Sequence, residues 1–485
     1  MRTPFGFAAR RTSETSDWTL MTQTSNNSRE QRPTIIVGGG VSGLTAAKTL
    51  ENAGMPVVLL EGSDRLGGRI HTLDLEEDDA SWIDMGAGWI LDHRTNPVFH
   101  MLKDAGTEVR SVPVVGLRVR IYDHGSATWK RWTAAMKAYG KLGWALMRPQ
   151  PISSEFSSLG ERFDERLGNQ PKREDAYLLK SFLEILIGSS VDDMHQNMLS
   201  EVWEHIEHKG TSMVMITGGY RHLVELLSNA LSTTEVMLNQ TVSQVSIPQN
   251  SSTAPLVAVE TSDGRTYHGA RVIITVPLGV LKAGSIAFDP PLPPAKQDAI
   301  ERIGFGTVEK VVMTFENAFW RRNRRKPMSF FSIADPVAAD GMYVDVSATS
   351  GSGPGAPTSH CLAYVCGNTK AELVAENPEA AVEQVLSDLQ AIFPDTFEPP
   401  VATAASRWRS SPFSQGSYAY PSVYTEPGDF TKLGEPTHDG MVLFAGDACA
   451  EGTALGYVEG AIFSGERAAK AVLAATGRNI SRPVG

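Results

Sequence analysis

Three glycines, Gly38, Gly40 and Gly43, stand between the apolar run Thr34-Ile35-Ile36-Val37 and a stretch from Leu44 to Ala53 whose apolar residues recur at helical spacing. A second apolar run, Val57 to Leu60, follows and ends at Glu61. Strand, glycine turn, helix, strand and acid within about 30 residues make a βαβ unit. Such a unit commits the chain to a parallel sheet, because parallel neighbours are joined through a crossover helix. The spacing also has a chemical reading. Gly38 permits a tight turn, Gly40 lets the backbone approach a pyrophosphate, and Gly43 lets the helix pack closely on its strand. The helix N-terminus then offers free N–H groups and a partial positive charge. Glu61, 18 residues beyond Gly43, stands at a strand end where it can accept hydrogen bonds from a ribose diol. The pattern points to an adenine dinucleotide site.

Runs of the same buried type recur far along the chain, at Val272-Ile273-Ile274-Thr275-Val276 and Val442-Leu443-Phe444-Ala445, so the parallel-sheet domain is expected to be discontinuous. Residues 130–232 read as mainly helical, with breaks at Pro149, Pro151 and Gly218-Gly219. Val308–Phe315 and Leu362–Val365 read as strands, and Ala371–Ile392 as helix. Ser350–Ser359 is a Gly/Pro/Ser loop without a motif. A length of 485 residues allows two or three domains, at roughly 100–200 residues each. A mixed insertion of this kind suits a substrate domain, because ligand clefts favour domain interfaces.

With 44 Lys and Arg against 55 Asp and Glu and no long basic run, the chain lacks the cationic face that nucleic-acid binding needs. The acidic balance suits cationic substrates. Cys361, Cys366 and Cys449 are too few and too scattered for a disulfide framework or a zinc site, and read as reduced core residues of a protein in the cytoplasm. Cys361 and Cys366, five apart in a strand, are expected on opposite faces. No stretch reaches the roughly 18 consecutive apolar residues of a spanning helix, so no membrane anchor is expected. Residues 1–32 lack hydrophobic periodicity and contain Met21, which reads as a disordered leader, with organelle targeting the lesser alternative. His205 and His208 lie three apart beside Glu201, Glu204 and Glu207 without a third ligand at motif spacing, so no metal is expected.

Beyond Glu61 the chain runs Gly-Ser-Asp-Arg-Leu-Gly-Gly to Arg69, with Thr72 after it. Gly67 and Gly68 allow close backbone approach, and Arg69 can neutralise diphosphate charge. This combination resembles the GG-doublet flavoproteins, in which the segment covers FAD. Further motifs follow in order: Asp84-Met-Gly-Ala-Gly-Trp89-Ile90 with Asn96-Pro97, Val276 to Lys282, Phe288 to Pro293, Gly304 to Lys310, Leu443 to Asp447, and Gly456 to Ala461. From Pro33 to about Ala475 the chain resembles the flavin-containing amine oxidases: monoamine oxidases, polyamine oxidases and lysine-specific histone demethylases.

The resemblance implies an α/β fold: a Rossmann-like FAD-binding domain over residues 33–115, 210–290 and 400–478, and an inserted α+β substrate domain over 116–209 and 291–399, with a tail at 479–485. It implies flavin contacts at Gly86, Ala87 and Trp89, and at Gly446, Asp447 and Val458, the last opening a helix with Val458, Ala461, Ile462, Gly465, Ala469 and Val472 on one apolar face. Lys310 alone reads as an outward strand residue; the resemblance implies that it holds a water near flavin N5 and assists proton movement and oxygen activation. Tyr418 and Tyr457 alone read as packing residues; the resemblance implies an aromatic cage for the amine. Trp408 is implied to pack near the isoalloxazine. Ser417 stands where monoamine oxidases carry the cysteine that bonds to flavin, and a hydroxyl cannot make that thioether, so FAD is expected to be noncovalent. Leu91 stands where several polyamine oxidases carry a His or Glu for a distant ammonium, with Asp92 and His93 next.

The expectation is an FAD-dependent oxidase that converts a primary or secondary amine, O2 and water to an aldehyde, amine or ammonia, and hydrogen peroxide. Its partners are then a small-molecule amine and O2, with no nucleic acid; a homodimer is left open. The alternatives are an L-amino-acid oxidase or desaturase on the same scaffold, or an FAD-binding scaffold that acts through partners.

Overall fold

The structure, a computed structural model, describes residues 32–74, 82–91, 94–113, 119–123, 127–131, 157–167, 174–198, 212–247, 256–321, 329–335, 338–346, 360–450 and 452–477. Residues 1–31 of the leader, Asp92, His93, the His205 and His208 pair with its glutamates, the loop Ser350–Ser359 and the tail 479–485 lie outside these.

Five parallel strands form the central sheet, in the spatial order Glu235–Met237, Val57–Leu60, Thr34–Val37, Arg271–Ile274 and Val442–Phe444. Thr34 pairs with Val57 on one side and Arg271 on the other, and Val272 pairs with Val442. The four inner and C-terminal strands are buried on both faces, which is why they read as unbroken apolar runs. Alternation divides them. Ile36, Leu59, Ile273 and Leu443 face a helical layer that includes Val41–Asn52, Arg221–Asn229 and Val458–Ala475. Ile35, Val37, Val58, Leu60, Val272, Ile274, Val442 and Phe444 face the other way, toward a four-stranded sheet made by Thr266–Gly269, Val257–Thr261, Val242–Ser246 and Ala287–Asp289.

The second large sheet has seven strands, in the order Ala402–Ala405, Val308–Phe315, His360–Gly367, Ala338–Asp345, Ser329–Asp335, Val119–Asp123 and Thr128–Arg131. One face carries the helices Asn368–Glu376 and Pro378–Ile392 over Val311, Met313 and Phe315. The other places Val312, Cys361 and Ala363 against Ile83, Met85 and Trp408. Cys361 and Cys366 therefore lie on opposite faces, and both are free and buried, as is Cys449. The expected division at residue 400 leaves Ala402–Ala405 on the other side of the boundary from the strand it pairs with.

Within 130–232 the helices Leu159–Leu167, Glu174–Ile187 and Arg221–Asn229 match the helical reading, but Ser212–Ile216 is a strand. It pairs with Val109–Pro113 and Ile90–Leu91. Its five residues are too few to show a helical period, and pairing with two extended segments settles their state. No helix among the described residues is long and apolar enough to cross a membrane.

The edge strand Glu235–Met237 is tied to the first helix by one carboxylate. Glu51 accepts from Ser232 N and Oγ at 2.7 Å each, from Thr233 N at 3.0 Å, and from Thr234 N and Oγ1 at 2.9 and 2.6 Å. Burial opposes ionisation, but the bonds from Thr234, Ser232 and Thr233 outweigh it and pull the pKa from 4.5 down to about 2. A depressed folded-state value means that the contribution is complete above pH 4.5 and is lost as pH falls toward about 2. Glu51→Gln is accordingly expected to melt below wild type at pH 7, with the gap closing as pH drops through that window in paired thermal melts; a gap independent of pH would show that the charge is not what holds the loop.

Candidate active site

The glycine turn has the geometry its spacing requires. Gly38 lies at φ +112°, where an added Cβ would fall 2.7 Å from Thr275 Oγ1, and a Cβ on Gly43 would fall 2.0 Å from Gly38 O. A Cβ on Gly40 would meet nothing within 4 Å. Two glycines are thus demanded by the protein's own packing, whereas Gly40 has protein-free space before it. The helix Val41–Asn52 begins with no side-chain cap and no acid in its first turn, and the buried Ser42 Oγ there has no protein partner. Glu61 accepts Gly39 N at 2.6 Å on one oxygen and Ser63 N and Oγ at 2.8 and 2.7 Å on the other. An uncapped helix start, an orphan hydroxyl and a buried acid at the adjoining strand end fit a dinucleotide.

Gly67 and Gly68 lie at positive φ beside this turn, and Gly67 bridges Gly40. Arg65 staples their loop, donating to Gly68 O at 2.8 Å and Ile70 O at 2.9 Å. Arg69 reaches much further. Its guanidinium makes a two-pronged bond to Asp447 and also donates to Ser417 O. Arg69 therefore meets a diphosphate as one half of an ion pair. Asp447 is the other half, following Gly446, whose N–H and C=O both bond Ser464 Oγ on the last helix at 2.9 and 2.8 Å. That helix crosses the first so closely that a Cβ on Gly465 would fall 2.4 Å from Ser42 O.

The segment after Asp84 wraps Arg69: a Cβ on Gly86 would collide with Arg69 O at 1.8 Å, and Ala87 N donates to that carbonyl at 3.3 Å. Trp89 O accepts from the Tyr220 hydroxyl at 3.4 Å. The Lys310 ammonium donates to Asp84 O at 2.8 Å and Gly86 O at 2.7 Å. Burial lowers its pKa to about 8, against a smaller upward pull from the Asp84 carboxylate. That carboxylate is itself buried, which raises its pKa, and is held by Thr72 Oγ1 and Tyr220 N. Trp408 packs against Gly86 and donates its indole N–H to Met85 O at 3.2 Å.

Tyr418 opens a short strand whose partner is Gly304–Gly306, four residues before Lys310. Its hydroxyl donates to Leu186 O, and burial, with Tyr457 close by, raises its pKa. Burial and Glu459 push Tyr457 up to about 12. Both rings therefore stay uncharged at neutral pH. The Ser417 hydroxyl is spent on the backbone, accepting Val308 N and donating to Val308 O at 2.9 Å each. Tyr457 precedes Val458, which opens the last helix without a side-chain cap. Leu91 is half-buried in a strand pairing with Met213.

The structure thus brings the predicted residues from four distant stretches to one place. Arg65, Thr275 and the Asp84 carboxylate were not singled out from the sequence. Arg65 lay in plain view within the Gly-rich run, whereas Thr275 and Asp84 act through contacts more than 100 residues away that no spacing reveals.

A Rossmann-like parallel sheet with this turn, joined to a second sheet that carries a half-buried lysine, defines a nucleotide-dependent oxidoreductase of the GG-doublet type. A family model described as "Flavin containing amine oxidoreductase" matches residues 41–473. The chain belongs to that family and is a flavin-dependent amine oxidase. It is 29% identical over 467 residues to Polyamine oxidase 4 of Oryza sativa subsp. japonica, covering 90% of this chain and 87% of that one. It is 27% identical over 471 residues to Lysine-specific histone demethylase 1 homolog 2 of the same plant, covering 91% of this chain and 57% of the relative. Cyclohexylamine oxidase from Brevibacterium oxydans IH-35A has the same fold, with a TM-score of 0.73 at 19% identity over 92% of this chain and all of that one.

The two kinds of glycine separate by experiment. Gly43→Ala is expected to lose about 1–3 kcal/mol of stability in denaturant unfolding, because backbone must move to admit the methyl group. Gly40→Ala, at φ −75° with open space, is expected to fold with wild-type stability but to purify with little or no flavin. Equal flavin content in Gly40→Ala and wild type would remove Gly40 from the cofactor site.

Proposed function

We propose that the enzyme binds FAD without a covalent bond and oxidises a primary or secondary amine to an imine that hydrolyses to an aldehyde, with O2 reduced to hydrogen peroxide. The observation that carries this reading is the half-buried Lys310, whose ammonium is fixed on Asp84 O and Gly86 O and linked through Arg69 to the strand that carries Tyr418. Flavin, when bound, would supply the two-electron chemistry, accepting two electrons from the amine and passing them to O2.

The chain's own residues do the rest. Gly38, Gly40 and Gly43 with Ser42 cradle the pyrophosphate, and Glu61 takes the ribose hydroxyls. Gly68, Arg69, Gly446 and Asp447 line the middle of the cofactor; Gly86, Ala87, Trp89 and Trp408 pack along it; and the helix start at Val458 meets the pyrimidine edge. Tyr418 and Tyr457 present neutral aromatic faces that guide the amine and orient its lone pair. The Lys310 cation favours negative charge as it develops on oxygen, in a place where little water competes. Ser417 has no thiol, which supports a noncovalent cofactor. Leu91 offers no charge to a second ammonium, which favours amines with one charged end over polyamines. The division into an FAD-binding domain with an inserted substrate domain, and a place in the cytoplasm, belong to the same proposal.

In an anaerobic titration the oxidised flavin spectrum is expected to bleach with monoamines well before spermidine or spermine, and acid denaturation is expected to release all of the flavin. A spectrum that no amine bleaches would overturn the activity, and flavin retained on the precipitated chain would overturn noncovalent binding. Lys310→Met is expected to keep its flavin and to slow reoxidation. The wild-type reoxidation rate should fall as pH rises through about 8, where the ammonium is lost, and the variant's should not; matching profiles would exclude the lysine.

A further inference from the structure

The strand Val308–Phe315 sends successive side chains to opposite faces of the seven-stranded sheet. Val312 faces Ile83, Met85 and Trp408, and Lys310 shares its side, while Val311, Met313 and Phe315 face the helical layer. Glu309 falls with the second set, beside Cys366, and is 0% exposed. A carboxylate in such surroundings is costly unless its oxygens are bonded. Here they are. Ser406 Oγ donates to Oε2, Arg409 N donates to Oε1 at 2.9 Å, and the backbone N–H of Trp408 is a further donor. The Ser406 hydroxyl also accepts Lys310 N at 2.7 Å, and Ser406 N donates to Lys310 O at 2.9 Å.

These bonds close a ring around the site. From Glu309 one path runs through Ser406 to the Lys310 backbone. The other runs through the start of the Arg407–Ser411 turn to Trp408, whose indole N–H holds Met85 O, and Met85 lies between the two residues whose carbonyls hold the Lys310 ammonium. We propose that Glu309 is a positioning residue for the oxidase: its carboxylate, on the far side of the sheet, fixes both the Lys310 backbone and the Trp408 indole and so sets the spacing between them. The inference rests on the roles given above to Lys310 and Trp408. Tyr418 meets this ring through Gly416 N on Trp408 O, and its strand is held besides by pairing with Gly306, by the Ser417–Val308 bonds and by Arg69 on Ser417 O.

The test compares Glu309→Gln, Ser406→Ala and Lys310→Met with wild type as flavin-loaded proteins. Glutamine keeps the size of the side chain and avoids the unsatisfied donors that could prevent Glu309→Ala from folding. In Glu309→Gln the Arg409 and Trp408 amides are expected to exchange with solvent about tenfold faster, as expected when a charge-assisted bond becomes a neutral one. Reoxidation is expected to slow by about three- to thirtyfold while the amine Kd from anaerobic titration stays within about twofold. Ser406→Ala, which removes the hydroxyl that joins Glu309 to the Lys310 N–H and leaves the Arg409 and Trp408 donors on Glu309, is expected to reproduce the slower reoxidation. If Lys310→Met slows reoxidation and Glu309→Gln does not, the proposal fails and the reading of Lys310 stands. If Lys310→Met has no effect, that reading fails, and the exchange data decide the latch: unchanged protection of Arg409 overturns it. A joint fall in melting temperature, amine affinity and reoxidation in Glu309→Gln also overturns it, because it would mark a general structural role.

Discussion

The pairing of Arg69 with Asp447 joins residues 378 positions apart, and the site has its shape because they meet. Arg69 leaves the glycine doublet of the N-terminal βαβ unit, and Asp447 follows the last strand of the same sheet. The fork geometry of a guanidinium on a carboxylate fixes direction as well as distance. Side-chain exposures of 24% and 10% keep most water from competing. Removing one partner of so sheltered a pair leaves a stranded charge, at a cost of about 3–5 kcal/mol for fully buried examples. The same guanidinium holds Ser417 O, so the aromatic strand takes its place from the cofactor turn.

Around this clasp the molecule solves a connectivity problem. The parallel sheet is assembled from segments that begin at residue 34 and end at 444, and each long excursion between them must return in register. Two lysines help to fasten the returning chain. Lys282 donates to the carbonyls of Ile300, Glu301 and Ile303, and Lys296 to those of Lys432, Leu433 and Glu435, each ammonium filling the acceptors left open where a helix ends. Lys296 also lies 4.0 Å from the centroid of Phe444 on the last sheet strand. The C-terminal strand is thereby tied to the element that brought the chain back.

Much of this was legible in the sequence, and the reason is physical. A buried parallel strand must be apolar throughout, so Thr34–Val37, Val57–Leu60, Val272–Val276 and Val442–Ala445 announce themselves. A turn that admits no Cβ at Gly38 and Gly43 leaves glycine as the only choice, so the first half of the site is local and readable. The strand Ser212–Ile216 was not, because its neighbours and not its own short sequence make it extended. Nor was the commitment of Arg69: a lone arginine near phosphates reads as a phosphate ligand until a distant aspartate is seen to hold it. Ser417 illustrates the same limit. Its residue type argues against a thioether, but only the fold shows its hydroxyl absorbed by the Val308 peptide.

Glu309 and Lys310 are neighbours of opposite charge that the strand keeps from pairing. On a loop they could fold back on each other and cancel; here one layer of backbone stands between them, and each side chain finds oxygens or N–H groups instead. The sheet behaves as a partition between two chemical compartments, one that keeps a cation available and one that uses an anion as a fastener. Such a wall tolerates changes of side chain far better than changes of count. One residue inserted or deleted between Gly306 and Glu309 would exchange the compartments, presenting a carboxylate where the ammonium belongs. For this enzyme the parity of a strand is therefore as much a part of the active site as any group that lines it.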